Sequence, residues 1–234
     1  MRKIALIPAR SGSKRVKDKN IIDIHGKPLI HYTLELADKL GIFDEIIVST
    51  DSTKYKEIVE GISNSKVRHR PHEISGDRSP DIEWVTDICV NYAVQPNDAL
   101  FLLRPTSPLR TEEFVHGAWQ KFNKSQKSYD SLRAVKKTDT HPAKMWSIIG
   151  DDLLPLFPFE QFEVPWHSNQ TSALPPVYQQ TASLEIFWGR TPLITNSISG
   201  TRILPYLCEG FDAFDVNSQE DIDYLRWKLA SKSI

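Results

Sequence analysis

From residue 4 to residue 135, short apolar runs alternate with stretches of helical period, and this alternation restricts the fold more than any other feature. The apolar runs are residues 4–7, 45–49 (carrying Ile46, Ile47 and Val48), a short one around Val67, 99–103 and 131–135. Between them, residues 28–40 repeat Leu29, Thr33, Leu36 and Leu40 at helical spacing, with Pro28 at the entrance and Gly41 at the exit. Residues 54–60 read as a second helix. Residues 81–94 follow Pro80 with Ile82, Val85, Ile88 and Cys89 on one face, and Glu112 and Glu113 open a helix running to Phe122. Strands separated by helices at this spacing predict βαβ units, hence an α/β protein with a doubly wound, mostly parallel sheet. Right-handed crossovers bring the loops at the carboxyl ends of the strands to one edge. The loop after Ile7, residues 49–51 and residues 104–107 are therefore predicted to share a crevice. Further on, residues 183–188 and 203–207 read as strands and residues 192–197 as regular structure. Residues 219–230 read as a last helix packing Ile222, Leu225 and Leu229, with Ser218 and Asp221 close to a capping box.

The first loop is strongly basic. Arg10, Lys14, Arg15, Lys17 and Lys19 follow directly on the buried run, with Asp18 the only acid, and Gly12 sits between two serines. Two readings are open. In one the loop is a solvated basic turn, which is the role read for Arg15 and Lys17. In the other, Gly12 lets the backbone fold tightly so that N–H groups and the cations Arg10, Lys14 and Lys19 hold phosphates at the end of the sheet. The loop matches neither GxxxxGK[ST] nor GxGxxG. Twenty-nine basic side chains against thirty acidic ones give a net charge of −1. A nucleic-acid-binding surface carries a basic excess, so the local cations suit a small polyanion better than a duplex.

At 234 residues the chain reads as one domain, or one domain with an insertion. Cys89 and Cys208 read as buried hydrophobes, without metal-like spacing. No apolar run approaches ~20 residues, so no membrane partner is expected; Met-Arg-Lys leads into a strand and not into a signal segment, and a cytoplasmic location is the expectation. Across residues 138–182 the rhythm breaks. Prolines (Pro142, Pro155, Pro158, Pro165, Pro175, Pro176) mix with Trp146, Phe157, Phe159, Phe162 and Trp166, and Asp151-Asp152 reads as a hairpin tip after Gly150. A disordered insert is poor in aromatics, so this segment is expected to pack, either on a second subunit or as a lid on its own.

The string Ile7-Pro8-Ala9-Arg10-Ser11-Gly12-Ser13-Lys14-Arg15, then Lys19-Asn20, resembles the N-terminal signature of the sugar-acid cytidylyltransferases, the family of the CMP-sialic acid synthetases. Leu102-Leu103-Arg104-Pro105-Thr106-Ser107-Pro108-Leu109-Arg110 resembles a second hallmark. The resemblance implies a Rossmann-like nucleotidyltransferase fold, CTP and a sugar acid as partners, transfer of CMP with release of pyrophosphate, Mg²⁺ as cofactor, and a homodimer through the inserted segment. The nucleotide-binding residues it implies are Ala9, Arg10, Ser13, Lys14, Lys19, Asn20, Arg70 and Asp81, with Asn20 at the ribose and Arg70 and Asp81 at the cytosine. Arg10, Lys14 and Asp215 are the implied catalytic residues. Fixed cations aimed at the α-phosphoryl oxygens and the leaving pyrophosphate stabilise the transition state more than the ground state.

The chain also departs from the family pattern. Asp81 stands where relatives often carry a small hydroxyl residue, and it reads equally as a first-turn acid of its helix. The substrate side comprises Arg104, Thr106, Ser107, Lys144 (from His141-Pro142-Ala143-Lys144) and Gln179. Thr171 and Gln179 replace family arginines, Thr181-Ala182 replaces Asn-Gly, and Arg104 replaces the glutamine of sialate-type enzymes. Arg104 and Lys144 are expected to take over from the lost arginines as partners of the acceptor carboxylate. In Phe214-Asp215-Val216-Asn217 the family has two aspartates as metal ligands; here Asp215 remains and Asn217 replaces the other. Period-2 alternation puts both on one face, and one carboxylate with phosphates and waters is enough for Mg²⁺. Asn217 reads alternatively as the cap of the last helix.

Overall fold

In a computed structural model, which describes residues 1–125, 128–157 and 164–231, the chain divides into two units, residues 1–134 with 181–234 and residues 135–180. Pro158, Phe159 and Phe162 lie outside the described residues. In chain order the elements are β1 (Lys3–Pro8), β2 (Asp23–Ile24), β3 (Lys27–Pro28), α1 (Leu29–Leu40), β4 (Glu45–Thr50), α2 (Thr53–Ile62), β5 (Lys66–His69), α3 (Asp81–Asn91) and β6 (Ala99–Leu102). They continue with α4 (Glu112–Lys124), β7 (Ser131–Lys137), β8 (Trp146–Ile149), β9 (Asp152–Pro155), β10 (Tyr178–Trp188), α5 (Arg190–Thr195), β11 (Ile203–Leu207) and α6 (Gln219–Ala230).

Seven strands form one sheet in the order β11-β7-β10-β6-β1-β4-β5. β1 pairs in parallel with β4 and β6, and β4 with β5, so four consecutive strands of the sheet share a direction. Side-chain alternation explains why β1 carries no polar face. Ala5 and Ile7 join a core with Ile30 and Leu34 of α1 and Phe114 and Phe122 of α4, whereas Ile4 and Leu6 join a core with Trp84, Val85 and Ile88 of α3. Both faces are covered, as the doubly wound reading requires. Fully burying each such aliphatic side chain is worth about 1.5–3 kcal/mol, so β1 is held from both sides. β10 runs antiparallel to β6, with Glu185 opposite Leu102, a direction that alternation alone does not reveal.

The helix starts follow local chemistry. The hydroxyls of Ser52 and Thr111 accept the N–H groups of Tyr55 and Phe114. Ser218 forms a full capping box with Asp221, so Ser218 and not Asn217 caps α6. The β2–β3 hairpin was not expected: its turn places His25 (φ 52) and Gly26 (φ 79) in the left-handed region, as a two-residue hairpin turn needs.

In the second unit, β8 and β9 pair with Ile149 opposite Asp152. The tip is therefore Gly150-Asp151, one residue earlier than the sequence reading, with Gly150 at φ 63. Ile148, Ile149, Leu153 and Leu154 on this hairpin are exposed. Lys144 Nζ donates to the carbonyls of His167 (2.6 Å) and Asn169 (2.5 Å). Gln179 lines a cavity with Thr138, Pro142 and Met145. Among the described residues no helix is long and apolar enough to cross a membrane.

Candidate active site

The loops at the carboxyl ends of β1, β4 and β6 do converge. The Ala9 N–H donates to the Ser49 carbonyl (2.8 Å), and the Ser11 N–H and hydroxyl donate to the Asp51 carboxylate (2.8 and 3.0 Å). Asn20 Nδ2 donates to the Arg10 carbonyl (3.0 Å). Val16 pegs the basic loop into a small core with Leu29, Val216 and Ile222, a packing role hidden among the charges. Gly12 is the centre of a tight turn, which the Ser13 N–H closes on the Ser11 carbonyl (2.9 Å). Its φ is not left-handed, Asp18 being the positive-φ residue of the loop. The N–H groups of Ala9, Ser11 and Ser13 are engaged within the chain.

One cavity of about 200 Å³ is lined by Arg10, Ser13, Lys19 and Asn20 from the first loop, by Arg70, Asp81 and Trp84, and by Arg104 and Thr106 after β6. Ala9 is buried beneath the loop, and Ser107 is buried with its hydroxyl unpartnered. Lys14 is 80% exposed and pairs with Asp77, which also takes Arg10 Nη1 at 2.5 Å. Lys14 and Arg10 together hold the Asp77 carboxyl below its ordinary range.

Burial lowers the pKa of Lys19, whose ammonium donates to the Val216 carbonyl (2.8 Å) and feels Asp215. Burial likewise pushes Arg70 down to about 10. Its guanidinium lies 5.1 Å from the Trp84 ring and bonds Ser49 Oγ at 3.1 Å. Such weakly compensated cations are poised to gain from an incoming anion or a polar base edge.

Arg104 has carboxylate partners within the chain. Its Nη2 donates to Asp81 (2.7 Å) and Glu185 (2.9 Å), and Glu185 also takes Arg133 at 2.5 Å. Burial disfavours the Arg104 charge, but the two carboxylates outweigh it and raise the pKa. Asp81 sits in the first turn of α3 and lines the cavity, so both sequence readings meet in one residue, with Arg104 as its cationic partner and Trp84 Nε1 on the other oxygen at 2.8 Å. Glu185 was missed, although an acid inside the apolar strand Leu184-Glu185-Ile186-Phe187 is itself a signal that a buried cation faces it. Arg110 was missed too. It is fully enclosed, bonding the carbonyls of Ser183 (2.5 Å) and Arg104 (3.1 Å) while Nη1 stays unpartnered.

At the C-terminal side, the Val216 N–H donates to the Thr106 carbonyl (2.8 Å) and so ties Asp215 to the loop after β6. Asp215 Oδ2 accepts from Asn217 Nδ2 at 2.6 Å, while Oδ1 is buried without a partner. Among the described residues no group of three His, Cys, Asp or Glu could hold a metal ion. Asp215 with its unpartnered Oδ1 is compatible with a Mg²⁺ held by one carboxylate and completed by phosphate oxygens and water.

A mostly parallel sheet wound by helices on both faces, with cations gathered at its carboxyl edge, defines an α/β fold of the nucleotidyltransferase kind. A solved structure of CMP:2-keto-3-deoxy-manno-octonic acid synthetase complexed with CTP has the same fold, with a TM-score of 0.68 at 14% identity over 99% of this chain and 100% of that one. Residues 4–146 match the family described as Cytidylyltransferase, and the chain belongs to that family. Among its relatives is the N-acylneuraminate cytidylyltransferase of Streptococcus agalactiae serotype V, 34% identical over 65% of this chain and 36% of that protein. The chain spans about a third of the length of the first such relatives. The CMP-N,N'-diacetyllegionaminic acid synthase of Legionella pneumophila is 28% identical over 99% of this chain and 96% of its own length.

Proposed function

We propose that this chain transfers CMP from CTP to the anomeric hydroxyl of a 2-keto-3-deoxy sugar acid of the nonulosonate type, releasing pyrophosphate. The observation that carries this reading is the single cavity uniting Arg10, Ser13, Lys19 and Asn20 with Arg70, Asp81, Arg104 and Thr106 in a member of the cytidylyltransferase family. The names of the relatives support the acceptor class. In the reaction the sugar hydroxyl oxygen bonds to the α-phosphorus as the α–β phosphoanhydride bond breaks, pyrophosphate leaving and the hydroxyl proton passing to water. Arg10, Lys14 and Lys19 hold the triphosphate and meet the charge that grows on the leaving pyrophosphate. Asn20 and Arg70 position the nucleoside. Asp215 would hold Mg²⁺, with Asn217 beside it; the chemistry a bound Mg²⁺ supplies is charge on phosphate oxygens and a lower pKa for a touching hydroxyl.

The acceptor side is assigned to Arg104, Thr106 and Ser107. Arg104→Ala is expected to raise the apparent constant for the sugar acid more than that for CTP, since Arg104 also pairs with Asp81 in the cavity. We also assign the exposed apolar hairpin of the second unit, where Ile148 is 76% and Ile149 64% exposed, to a homodimer contact; contiguous apolar area of this kind suits a subunit interface. Pyrophosphate release measured with CTP, Mg²⁺ and a panel of sugar acids tests the proposal. Release that depends on a nonulosonate supports it, and release with none of the acids, or with another nucleotide in place of CTP, counts against it.

A further inference from the structure

The acid that meets Arg10 and Lys14 of the basic loop comes from a neighbouring loop, and nothing in the proposed transfer uses it. Asp77 places one carboxylate oxygen on Arg10 Nη1 at 2.5 Å and the other on Lys14 Nζ. Two oxygens of one anionic group thus span two cations, as two oxygens of a phosphate would. The loop that carries Asp77 is tethered at both ends. At one end the Arg70 N–H donates to the Thr50 carbonyl (2.7 Å), and Ile74 just beyond packs against the core; at the other α3 begins with Asp81, itself held by Arg104. Between the tethers, Asp77 stands in a turn closed by the Ser79 N–H on the Gly76 carbonyl (3.1 Å). Asp77 is an exposed residue with a side chain about a third exposed, so its ion pairs are of the weak, solvent-screened kind.

We propose that Asp77 is an internal occupant of the polyphosphate cradle, which an incoming triphosphate displaces from Arg10 and Lys14. This inference rests on reading those two cations as phosphate partners. A polyphosphate carries several negative charges against one on the carboxylate, so it wins the competition, but its net affinity is lowered by what Asp77 contributed. When pyrophosphate departs, the carboxylate returns and neutralises the cations. Asp77 is thereby a positioning residue that holds Arg10 and Lys14 in place for phosphate and keeps the cradle from retaining product.

The test uses the full chain with Asp77→Asn and Asp77→Glu, and reads binding of inorganic triphosphate and pyrophosphate by calorimetry at low ionic strength. Asp77→Asn is expected to bind both about two- to fivefold more tightly, within the range an exposed pair can contribute, with the gain shrinking as salt is added. Asp77→Glu is expected to match the parent. In turnover, Asp77→Asn should lower the apparent KM for CTP and strengthen inhibition by pyrophosphate without raising kcat. Unchanged or weaker triphosphate binding by Asp77→Asn overturns the proposal. Arg10→Ala separates the two levels: if it weakens triphosphate binding while Asp77→Asn changes nothing, only the role of Asp77 falls. If Arg10→Ala has no effect on triphosphate binding, the phosphate reading and this inference fall together.

Discussion

The carboxylate of Asp81 and the guanidinium of Arg104 meet at 2.7 Å, joining the first turn of α3 to the loop that follows β6. Both residues are singled out in the sequence, and they are partners. Glu185, at 2.9 Å from Arg104 and 2.5 Å from Arg133, extends the pair into a set of two cations and two carboxylates. These half-buried charges are tolerated because each has a partner, and removing one leaves another less compensated.

Arg104→Gln and Asp81→Ser should therefore not be additive. Each alone is expected to destabilise the protein, and the double substitution should recover part of the loss, with a coupling energy of about 1 kcal/mol. Urea denaturation of the four proteins measures it. Strictly additive losses would show that the two residues do not depend on each other.

Arg110→Met is expected to cost about 2–4 kcal/mol, because the guanidinium ties the carbonyls of Ser183 and Arg104 inside the core and their loss leaves buried acceptors unpaired. Thermal unfolding reads the cost directly. A change below about 1 kcal/mol would mean that water replaces the guanidinium without penalty.

The thiol of Cys89 is pushed up to about 12 by burial, from an ordinary value of 9.0. The folded state thus holds its proton over a window in which the unfolded state has lost it. Stability owed to this group is complete below pH 9 and declines as pH rises toward 12. Cys89→Ala should flatten that decline, and a thiol reagent should label Cys89 at pH 8 only when the protein is unfolded. Rapid labelling of the native chain would contradict the burial.

Much of this architecture could be read before any coordinates. The run of residues 4–7, the helix beginning after Pro28 and the last helix from Gln219 appear where periodicity and capping residues put them, because each is set by local chemistry. The convergence of the basic loop with residues 49–51 and 104–107 followed from handedness alone. What stayed hidden is what depends on residues far apart in the chain. Glu185 lies eighty-one positions from Arg104, Asp77 sixty-seven from Arg10, and the antiparallel direction of β10 is a matter of tertiary pairing. Val16 was masked by the five cations around it, although a lone valine in a charged loop has only packing to offer.

Asp215→Ala should lower turnover by about a thousandfold or more, the scale of several kcal/mol that a metal-held phosphate supplies, while circular dichroism and the unfolding midpoint stay near those of the parent. Its orphaned Oδ1 makes the loss of this carboxylate tolerable for folding. Near-normal turnover would remove Asp215 from the site.

The most direct measurement is a crystal structure of the chain with CTP and Mg²⁺. The triphosphate is predicted to lie against Arg10 and Lys19, with Asp77 moved off Arg10 and Lys14, a metal ion on Asp215 Oδ1, and the nucleoside in the cavity beside Asn20, Arg70 and Trp84. A nucleotide bound outside that cavity, or one that leaves Arg10 and Lys19 without phosphate contacts, would contradict the account.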